Sequence, residues 1–375
     1  MATERGTTLL LRTNSSLYYT PTLGVSRYSP VFRTVWPILR NFSVMIKDMA
    51  DDEAIQATND DASECKRYAV QLGYWSDPFI NFFVKQTTRK PPEINRGYYA
   101  RVKGIEVFID KFLKVSNSYT EFSKYDFKML SGDKGQIINL GAGFDTLYWK
   151  LRNAGNSPTN FVELDFPSIT AKKCYHIKKH KQLIDTLNTE DGEIRFSTID
   201  LHAANYHLVG TDLRDIYELD KKLTQAEVNF NLPTMFLAEC VLVYIDTSAA
   251  STLLKWLAVT FPNSIFVSYE QVNMKDKFGQ VMLSNLRSRG CLLAGVKDCE
   301  TLETQQRRFT VNGWEGSNAW TMVEVYDSLL ETDRIRIEHI EMLDERELLI
   351  QLLQHYCIAI AWNGQTFKNL SIAQG

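Results

Sequence analysis

A turn containing two glycines is the first feature with chemical implications. Residues 136–140 read as a short apolar strand, and Gly141, Ala142 and Gly143 follow it directly. Glycines at this point allow a ligand such as a nucleotide to lie against the backbone. Residue 146 is threonine, so the third glycine of a pyrophosphate-binding turn is missing. An ordinary tight turn therefore stays open as the alternative.

Two carboxylates lie at the end of the next apolar segment. Asp165 follows Gly141 by 24 residues, a position from which a carboxylate can accept both hydroxyls of a ribose. Glu163 lies two residues earlier and points the same way if the strand is regular. Either residue alone could be an exposed acid at a strand end. Together with the glycine turn, they indicate a ligand that contains a nucleoside.

Two further acids follow later apolar segments. Asp212 and Leu213 come after a stretch that ends at Gly210, where an acid can accept a hydrogen bond from an adenine amino group. Glu239 ends the segment 235–239, at the edge where ligands of open α/β sheets bind. Its carboxylate could face the sulfonium or the amino group of S-adenosylmethionine. A helix cap at Asp212 and an ordinary strand-end acid at Glu239 are the alternatives.

Strands that alternate with helices must position these residues. The apolar segments are 136–140, 161–165, 194–200 with 207–210, 235–239 and 265–270. This alternation predicts an α/β fold with a mostly parallel, doubly wound sheet. The alternating stretch 334–340, a helix from Glu345 and the apolar run 357–362 predict an antiparallel edge strand.

Changes of composition suggest where the chain divides. We expect a disordered extension, an N-terminal helical module, a core, a helical cap and a final part of the core sheet, over residues 1–58, 59–118, 119–275, 276–330 and 331–375. The module should begin with a helix from Asp61 or Ser63 to about Gly73. Asp77 and Pro78 then form an N-cap and a first helical position.

The first fifty residues have an unusual composition. No acidic residue lies between Glu4 and Asp48, whereas six basic residues do. This composition is typical of an organellar transit peptide, but three prolines interrupt any long amphipathic helix. We expect a cytoplasmic protein and keep an organellar signal open.

Whole-chain composition excludes several classes of function. The net charge of −3 over 375 residues does not favour a nucleic-acid partner, and no apolar run is long enough for a membrane span. The six cysteines form no CxxC pair, so we expect no thiolate metal site. His176 and His180 have a metal-compatible spacing, but five lysines surround them, and a solvated basic face is the preferred interpretation.

Taken together, the motifs resemble those of the leucine carboxyl methyltransferases over residues 60 to 370. The matching motifs are CKR (65–67), GYWSDP (73–78), EINRGYYARV (93–102), GAG (141–143), ELDFP (163–167), DLRD (212–215), AECVLVY (238–244) and YEQVN (269–273). The resemblance implies a Rossmann-like fold that uses S-adenosyl-L-methionine as methyl donor. It also implies methylation of the C-terminal leucine carboxylate of the protein phosphatase 2A catalytic subunit, which removes one negative charge from that tail.

The same resemblance implies a role for seven residues. Lys66 and Arg101 would approach the methionyl carboxylate of the cofactor, and Glu239 would hold its amino end. Gly141 would lie under the cofactor, and Asp165 would hold the ribose hydroxyls. The adenine would meet Asp212 and Leu213.

A C-terminal carboxylate is ionised at pH 7, so we expect no general base and no metal. Arg101 is the candidate for orienting both carboxylates, because a guanidinium pairs bidentately with a carboxylate. We expect a monomer.

Other functions stay open at this point. The acceptor could be a small molecule or tRNA; the related tRNA-modifying enzymes carry a β-propeller, which we expect this chain to lack because it ends at residue 375. A nicotinamide oxidoreductase would share the glycine turn. A non-catalytic module would bind the cofactor or the phosphatase without turnover.

Overall fold

Nine strands form one mixed sheet in the computed structural model, which describes residues 52–122, 135–187 and 193–373. The strands are β1 (Gln136–Leu140), β2 (Phe161–Asp165), β3 (Arg195–Phe196), β4 (Leu201–Ala203), β5 (Tyr206–Gly210), β6 (Thr234–Glu239), β7 (Ser264–Gln271), β8 (Gly316–Thr321) and β9 (Tyr356–Asn363). Their order is β3-β4-β5-β2-β1-β6-β7-β9-β8.

The centre of this sheet is parallel and both of its edges are antiparallel. Strands β5, β2, β1, β6 and β7 run parallel, with Ile138 paired to Val162 on one side and to Phe236 on the other. Strands β4 and β9 pair antiparallel with the outer members, and β3 and β8 extend these edges. The strand order reverses between β1 and β6, and ligands of such sheets bind at this point. The predicted fold class is confirmed.

Helices cover both faces of the sheet. They are α1 (52–72), α2 (Ile80–Phe83), α3 (Pro92–Phe122), α4 (Leu147–Asn153), α5 (Pro167–Lys179), α6 (Lys181–Leu187), α7 (Ile216–Gln225), α8 (Thr247–Thr260), α9 (Lys277–Ser288), α10 (Leu302–Thr310), α11 (Met322–Ser328), α12 (Glu331–Glu338) and α13 (Arg346–Gln354). One buried core contains residues of α3, α4 and α5, and the other contains residues of α7, α8 and α10. Strands buried on both sides explain the near-continuous apolar runs in the sequence.

The N-terminal boundary differs from the prediction. Residues 52–58 are helical, so α1 begins well before the predicted start at Asp61 or Ser63. Residues of this helix bind distant parts of the chain, as Asp52 does with Arg214 and Asn59 with the N–H of Phe144, and a local sequence pattern does not contain such contacts. The carboxylate of Asp77 accepts from the backbone N–H groups of Phe79 and Ile80, but Asp77 is not the predicted N-cap, because the helix is only Ile80–Phe83 with Phe79 at its N-cap, and Pro78 lies outside it. Residues 1–51 lie outside the described part, and the proposed division into domains stays a prediction.

Two predictions near the C-terminus were wrong. The alternating stretch 334–340 falls on α12 and the turn after it, where Arg336 pairs with Asp333 one helical turn away. The edge strand is instead β8, inside the stretch 276–330 that was expected to be helical. Strand β8 begins at Gly316. A glycine is needed at this position because a Cβ there would collide with the ring of Trp362 on β9. This strand is polar and half exposed, so it lacks the apolar signal of the central strands.

The prediction of a single third strand was also incomplete. The segments 194–200 and 207–210 belong to an antiparallel arrangement of β3, β4 and β5, and Ala204 makes the turn between the last two with φ +44°. Among the described helices, none combines the length and apolar character needed to cross a membrane.

Candidate active site

A cavity of about 300 Å³ lies at the carboxyl end of the central strands, where the strand order reverses. Its lining includes all seven residues singled out in the sequence: Lys66, Arg101, Gly141, Asp165, Asp212, Leu213 and Glu239. They come from α1, α3 and the ends of strands that are distant in the chain. The structure therefore brings the seven together, and their individual roles stay predictions.

The glycine turn has the backbone conformation that the sequence suggested. Gly141 and Gly143 have φ values of +62° and +50°, which side chains rarely allow. A Cβ on Gly141 would lie 2.6 Å from a methyl carbon of Val241, and one on Gly143 would collide with the Asn59 side chain. Both glycines are therefore required by close packing around the cavity.

Asp165 is oriented by the backbone around it. Its Oδ2 accepts from Gly143 N at 2.7 Å, and its Oδ1 accepts from Phe166 N at 2.7 Å. Burial raises the pKa of Asp165, and these two N–H groups oppose that rise. Each carboxylate oxygen retains a further lone pair, so the group can still accept from vicinal hydroxyls.

Glu163 does not reach the cavity, in contrast to the expectation that it would point with Asp165. Its side chain is fully buried and pairs with Lys173 Nζ at 2.6 Å, and Tyr206 donates to the same oxygen at 2.7 Å. Helix α5 covers this face of the sheet, while Asp165 lies at the last position of β2. Lys173 also donates to the carbonyl of Asp145 at 2.7 Å, which connects the pair to the glycine turn.

Glu239 is at the centre of a charge cluster. Its Oε2 lies 3.1 Å from Lys66 Nζ and 2.6 Å from Arg101 Nε. Burial opposes its ionisation, but the two cations outweigh burial and lower its pKa to about 2. Two cations against one carboxylate leave one positive charge at the cavity wall. Such a wall favours an anionic ligand group.

Aromatic rings surround the guanidinium of Arg101. Its central carbon lies 5.6 Å from the ring centroid of Tyr98 and 4.7 Å from that of Tyr269. Tyr269 stacks on Tyr356 with a centroid separation of 5.2 Å. Cation–π contacts of this kind hold a guanidinium in one orientation without neutralising it. Tyr269 lies in one of the motifs matched in the sequence, 269–273, but its contact with Arg101 and the position of Tyr356 were not predicted, because β7 and β9 are far apart in the chain and meet only in the sheet.

Tyr98 differs in its placement from Tyr74, Trp75 and Tyr99, which come from the same two sequence motifs, 73–78 and 93–102. It lines the cavity. Tyr74 and Tyr99 are buried and donate to Glu341 and Asp333, and Trp75 is also buried, so these three belong to the core.

The opposite end of the cavity contains Asp212 and Leu213. Asp212 pairs with Arg214 at 2.7 Å, and Arg214 also pairs with Asp52 of α1 at 2.8 Å. The carboxylate of Asp212 is thus shared with an arginine that also contacts the first helix. Leu213 is buried and supplies an apolar wall.

Helix α1 contributes cavity residues that the sequence analysis had assigned to the extension. These are Asp52, Ile55, Gln56 and Thr58. The adjacent Asn59 accepts from Phe144 N at 2.9 Å, which ties the helix to the glycine turn. The only local signal was a polar, acidic composition, which is equally typical of a linker.

No group of three or more His, Cys, Asp or Glu side chains within the described ranges is arranged to hold a metal ion. The ring of His176 on α5 stacks at 6.4 Å on that of His180, the residue that follows the helix, and both lie outside the cavity lining.

Comparison with known proteins gives one consistent family. The family model described as "Leucine carboxyl methyltransferase" matches residues 54–258. The chain is 44% identical to leucine carboxyl methyltransferase 1 of Rattus norvegicus, over 84% of this chain and 91% of that protein. It is 38% identical to the leucine carboxyl methyltransferase 1 homolog of Arabidopsis thaliana, over 85% and 92%. Human tRNA wybutosine-synthesizing protein 4 is 34% identical over 84% of this chain but only 45% of its own length.

The buried pair of Glu163 and Lys173 beneath the glycine turn can be tested by mutation. Lys173→Met leaves the Glu163 carboxylate buried without its cation, which should lower the free energy of unfolding by about 3–5 kcal/mol at pH 8. Burial raises the pKa of Glu163, so a proton taken up at pH 5 should make the loss smaller there. Urea unfolding at both pH values measures this, with the exposed neighbour Lys172→Met as control. Equal losses at the two pH values would contradict the assignment.

Proposed function

We propose that this chain, which belongs to the leucine carboxyl methyltransferase family, methylates the α-carboxylate of a C-terminal leucine with S-adenosyl-L-methionine as donor. The proposed acceptor is the tail of the protein phosphatase 2A catalytic subunit, and the product is a methyl ester. The observation that carries the proposal is the cluster of Lys66, Arg101 and Glu239 at the carboxyl edge of the sheet. We expect the chain to act as a cytoplasmic monomer.

The residues around the cavity fit S-adenosylmethionine. The glycine turn has no room for a Cβ at Gly141 or Gly143, so a ligand can approach its backbone closely. Asp165 retains acceptors suited to ribose hydroxyls. The hydroxyl of Thr211 lines the cavity, is buried and has no hydrogen-bond partner within the described residues. Lys66 and Arg101 would hold the methionyl carboxylate, Glu239 the amino group, and Asp212 with Leu213 the adenine.

The reaction requires the protein to position the two reactants and does not require it to transfer a proton. S-adenosylmethionine supplies an activated methyl group on its sulfonium. The leucine carboxylate is an ionised nucleophile at pH 7, so the protein has no proton to remove. Holding the nucleophile in line can contribute roughly 7–11 kcal/mol in favourable cases.

An acceptor carboxylate must also be compensated when it enters the cavity, because burying it unpaired is costly. Arg101 suits this task. It pairs with Glu239 through Nε, and its guanidinium is held between aromatic rings. Its second edge can therefore meet a further carboxylate without losing the first partner. We assign Arg101 to orienting the acceptor as well as the cofactor.

The first experiment follows a labelled methyl group. Purified protein is incubated with methyl-labelled S-adenosylmethionine and the phosphatase catalytic subunit, with and without its last leucine. Label should appear only when the leucine is present and should leave as methanol in mild base, because a carboxyl methyl ester hydrolyses easily. Parallel samples contain bulk tRNA. Label on tRNA alone would favour another acceptor, and cofactor binding without any label would favour a non-catalytic module.

A second prediction concerns Arg101. Arg101→Lys keeps the charge but loses the bidentate, stacked guanidinium, so kcat/KM should fall by about 100-fold or more while the protein folds normally. Steady-state methyl transfer and circular dichroism measure the two effects. The exposed Arg346→Lys on α13 is the matched control. Near-normal turnover of Arg101→Lys would remove the residue from the proposed role.

A further inference from the structure

A buried carboxylate next to the cavity has no role in the chemistry described so far. Glu270 on β7 is fully buried and is not part of the cavity lining. Its Oε1 accepts from Val241 N at 3.0 Å and Leu242 N at 2.9 Å, and its Oε2 accepts from Val243 N at 3.1 Å. One side chain therefore satisfies three successive N–H groups of the loop that follows β6.

That loop is strained where it leaves the strand. Cys240 has φ +57°, a left-handed conformation that costs free energy for a residue with a side chain. Its N–H donates to the carbonyl of Tyr269 at 2.7 Å. Four consecutive N–H groups of the loop, from 240 to 243, are thus bound by two consecutive residues of β7. External contacts from β7 hold a backbone that the loop would not adopt unaided.

The loop carries much of the cavity wall. Glu239, Cys240, Val241, Tyr244 and Ile245 all line it. The Glu239 carbonyl also accepts from Arg101 Nη2 at 3.4 Å, so both its main chain and its side chain contact the same guanidinium. A shift of the loop would therefore move Glu239 relative to both cations.

Capping from a distant strand differs from ordinary helix capping. A short 3₁₀ turn begins at Leu242, and its first N–H groups need acceptors, which a local Asp or Ser would satisfy. Glu270 comes instead from the neighbouring strand, 27 to 29 residues away. A local cap stabilises the turn alone, whereas this carboxylate also fixes the turn relative to the sheet.

The charge of Arg308 on α10 favours the ionised form of Glu270. Burial raises its pKa, and the charge of Arg308 together with the three N–H groups opposes that rise. The Arg308 side chain is 2% exposed and lies 3.6 Å from Asp298, and it donates to Gln305 at 3.0 Å. The carboxylate is thus backed by a buried cation whose own position is held by α10.

We infer that Glu270 is a positioning residue for methyl transfer. This inference rests on the proposed function. Glu270 holds the 240–243 backbone in place, so that Glu239 can keep Lys66 and Arg101 at the cofactor end of the cavity. It touches neither substrate nor cofactor.

Glu270→Gln is the test, since glutamine has the same shape but only one acceptor oxygen. Three N–H groups face the side chain, so at least one must then meet an amide NH₂ in either orientation. We expect the Kd for S-adenosylhomocysteine to rise by about 10-fold or more, and kcat to fall. Calorimetric titration is made well below the thermal midpoint, because a variant that is only less stable loses folded protein without changing the Kd of the folded fraction.

Asp246→Asn is the matched control. Its carboxylate also accepts from two backbone N–H groups, but these belong to Ser248 and Ala249, which do not line the cavity. Asparagine caps helices about as well as aspartate, so Kd and kcat should stay unchanged.

Folded Glu270→Gln with wild-type Kd and kcat would overturn the inference. If that variant does not fold, Glu270→Asp is titrated in the same way; it keeps the charge but is one carbon shorter, and a wild-type Kd would again contradict the inference. The Kd is measured without an acceptor, so a failure of the proposed function leaves this result interpretable.

Discussion

The attraction of one buried carboxylate for two cations is the interaction on which the rest of the site depends. Glu239 ends the central strand β6, Lys66 lies on α1 and Arg101 on α3, so a single acid joins the sheet to both helices above its carboxyl edge. The attraction is strong enough to keep Glu239 ionised despite burial, with a pKa of about 2. Because two cations face one acid, this cluster also leaves a positive charge at the cavity wall, which favours an anionic ligand.

Other acids near the site differ from Glu239 in the balance between burial and the groups that stabilise the carboxylate. Asp165 and Glu270 accept from backbone N–H groups, Glu163 pairs with Lys173 and accepts from Tyr206, and burial raises the pKa of all three. Each of them fixes backbone: Asp165 and Glu163 around the glycine turn, Glu270 around the loop after β6. Glu163 and Glu270 lie outside the cavity lining, whereas Asp165 both binds the glycine turn and faces the cavity.

Much of the core could be predicted from the chain alone. Strands buried on both faces must be apolar throughout, so β1, β2 and β6 are visible as short apolar runs, and the parallel topology places Asp165 and Glu239, which end β2 and β6, at one edge. The edges could not be predicted in this way. Strand β8 is only partly buried and has no continuous apolar run, and α12 alternates in sequence although only Ile337 of it is buried.

Short-range sequence pattern was sufficient to predict the type of fold and the glycine turn, and the resemblance of the motifs to a known family supplied the full set of seven residues around the cavity. Tertiary structure decided what each acid does. Glu163 and Asp165 are two residues apart, yet one is sealed under α5 by Lys173 and the other lines the cavity. It also decided that residues 52–58 form part of a helix over the cavity and that Glu270 binds the loop beyond β6. Such outcomes depend on partners brought close only by folding, and local sequence does not encode the distance between them.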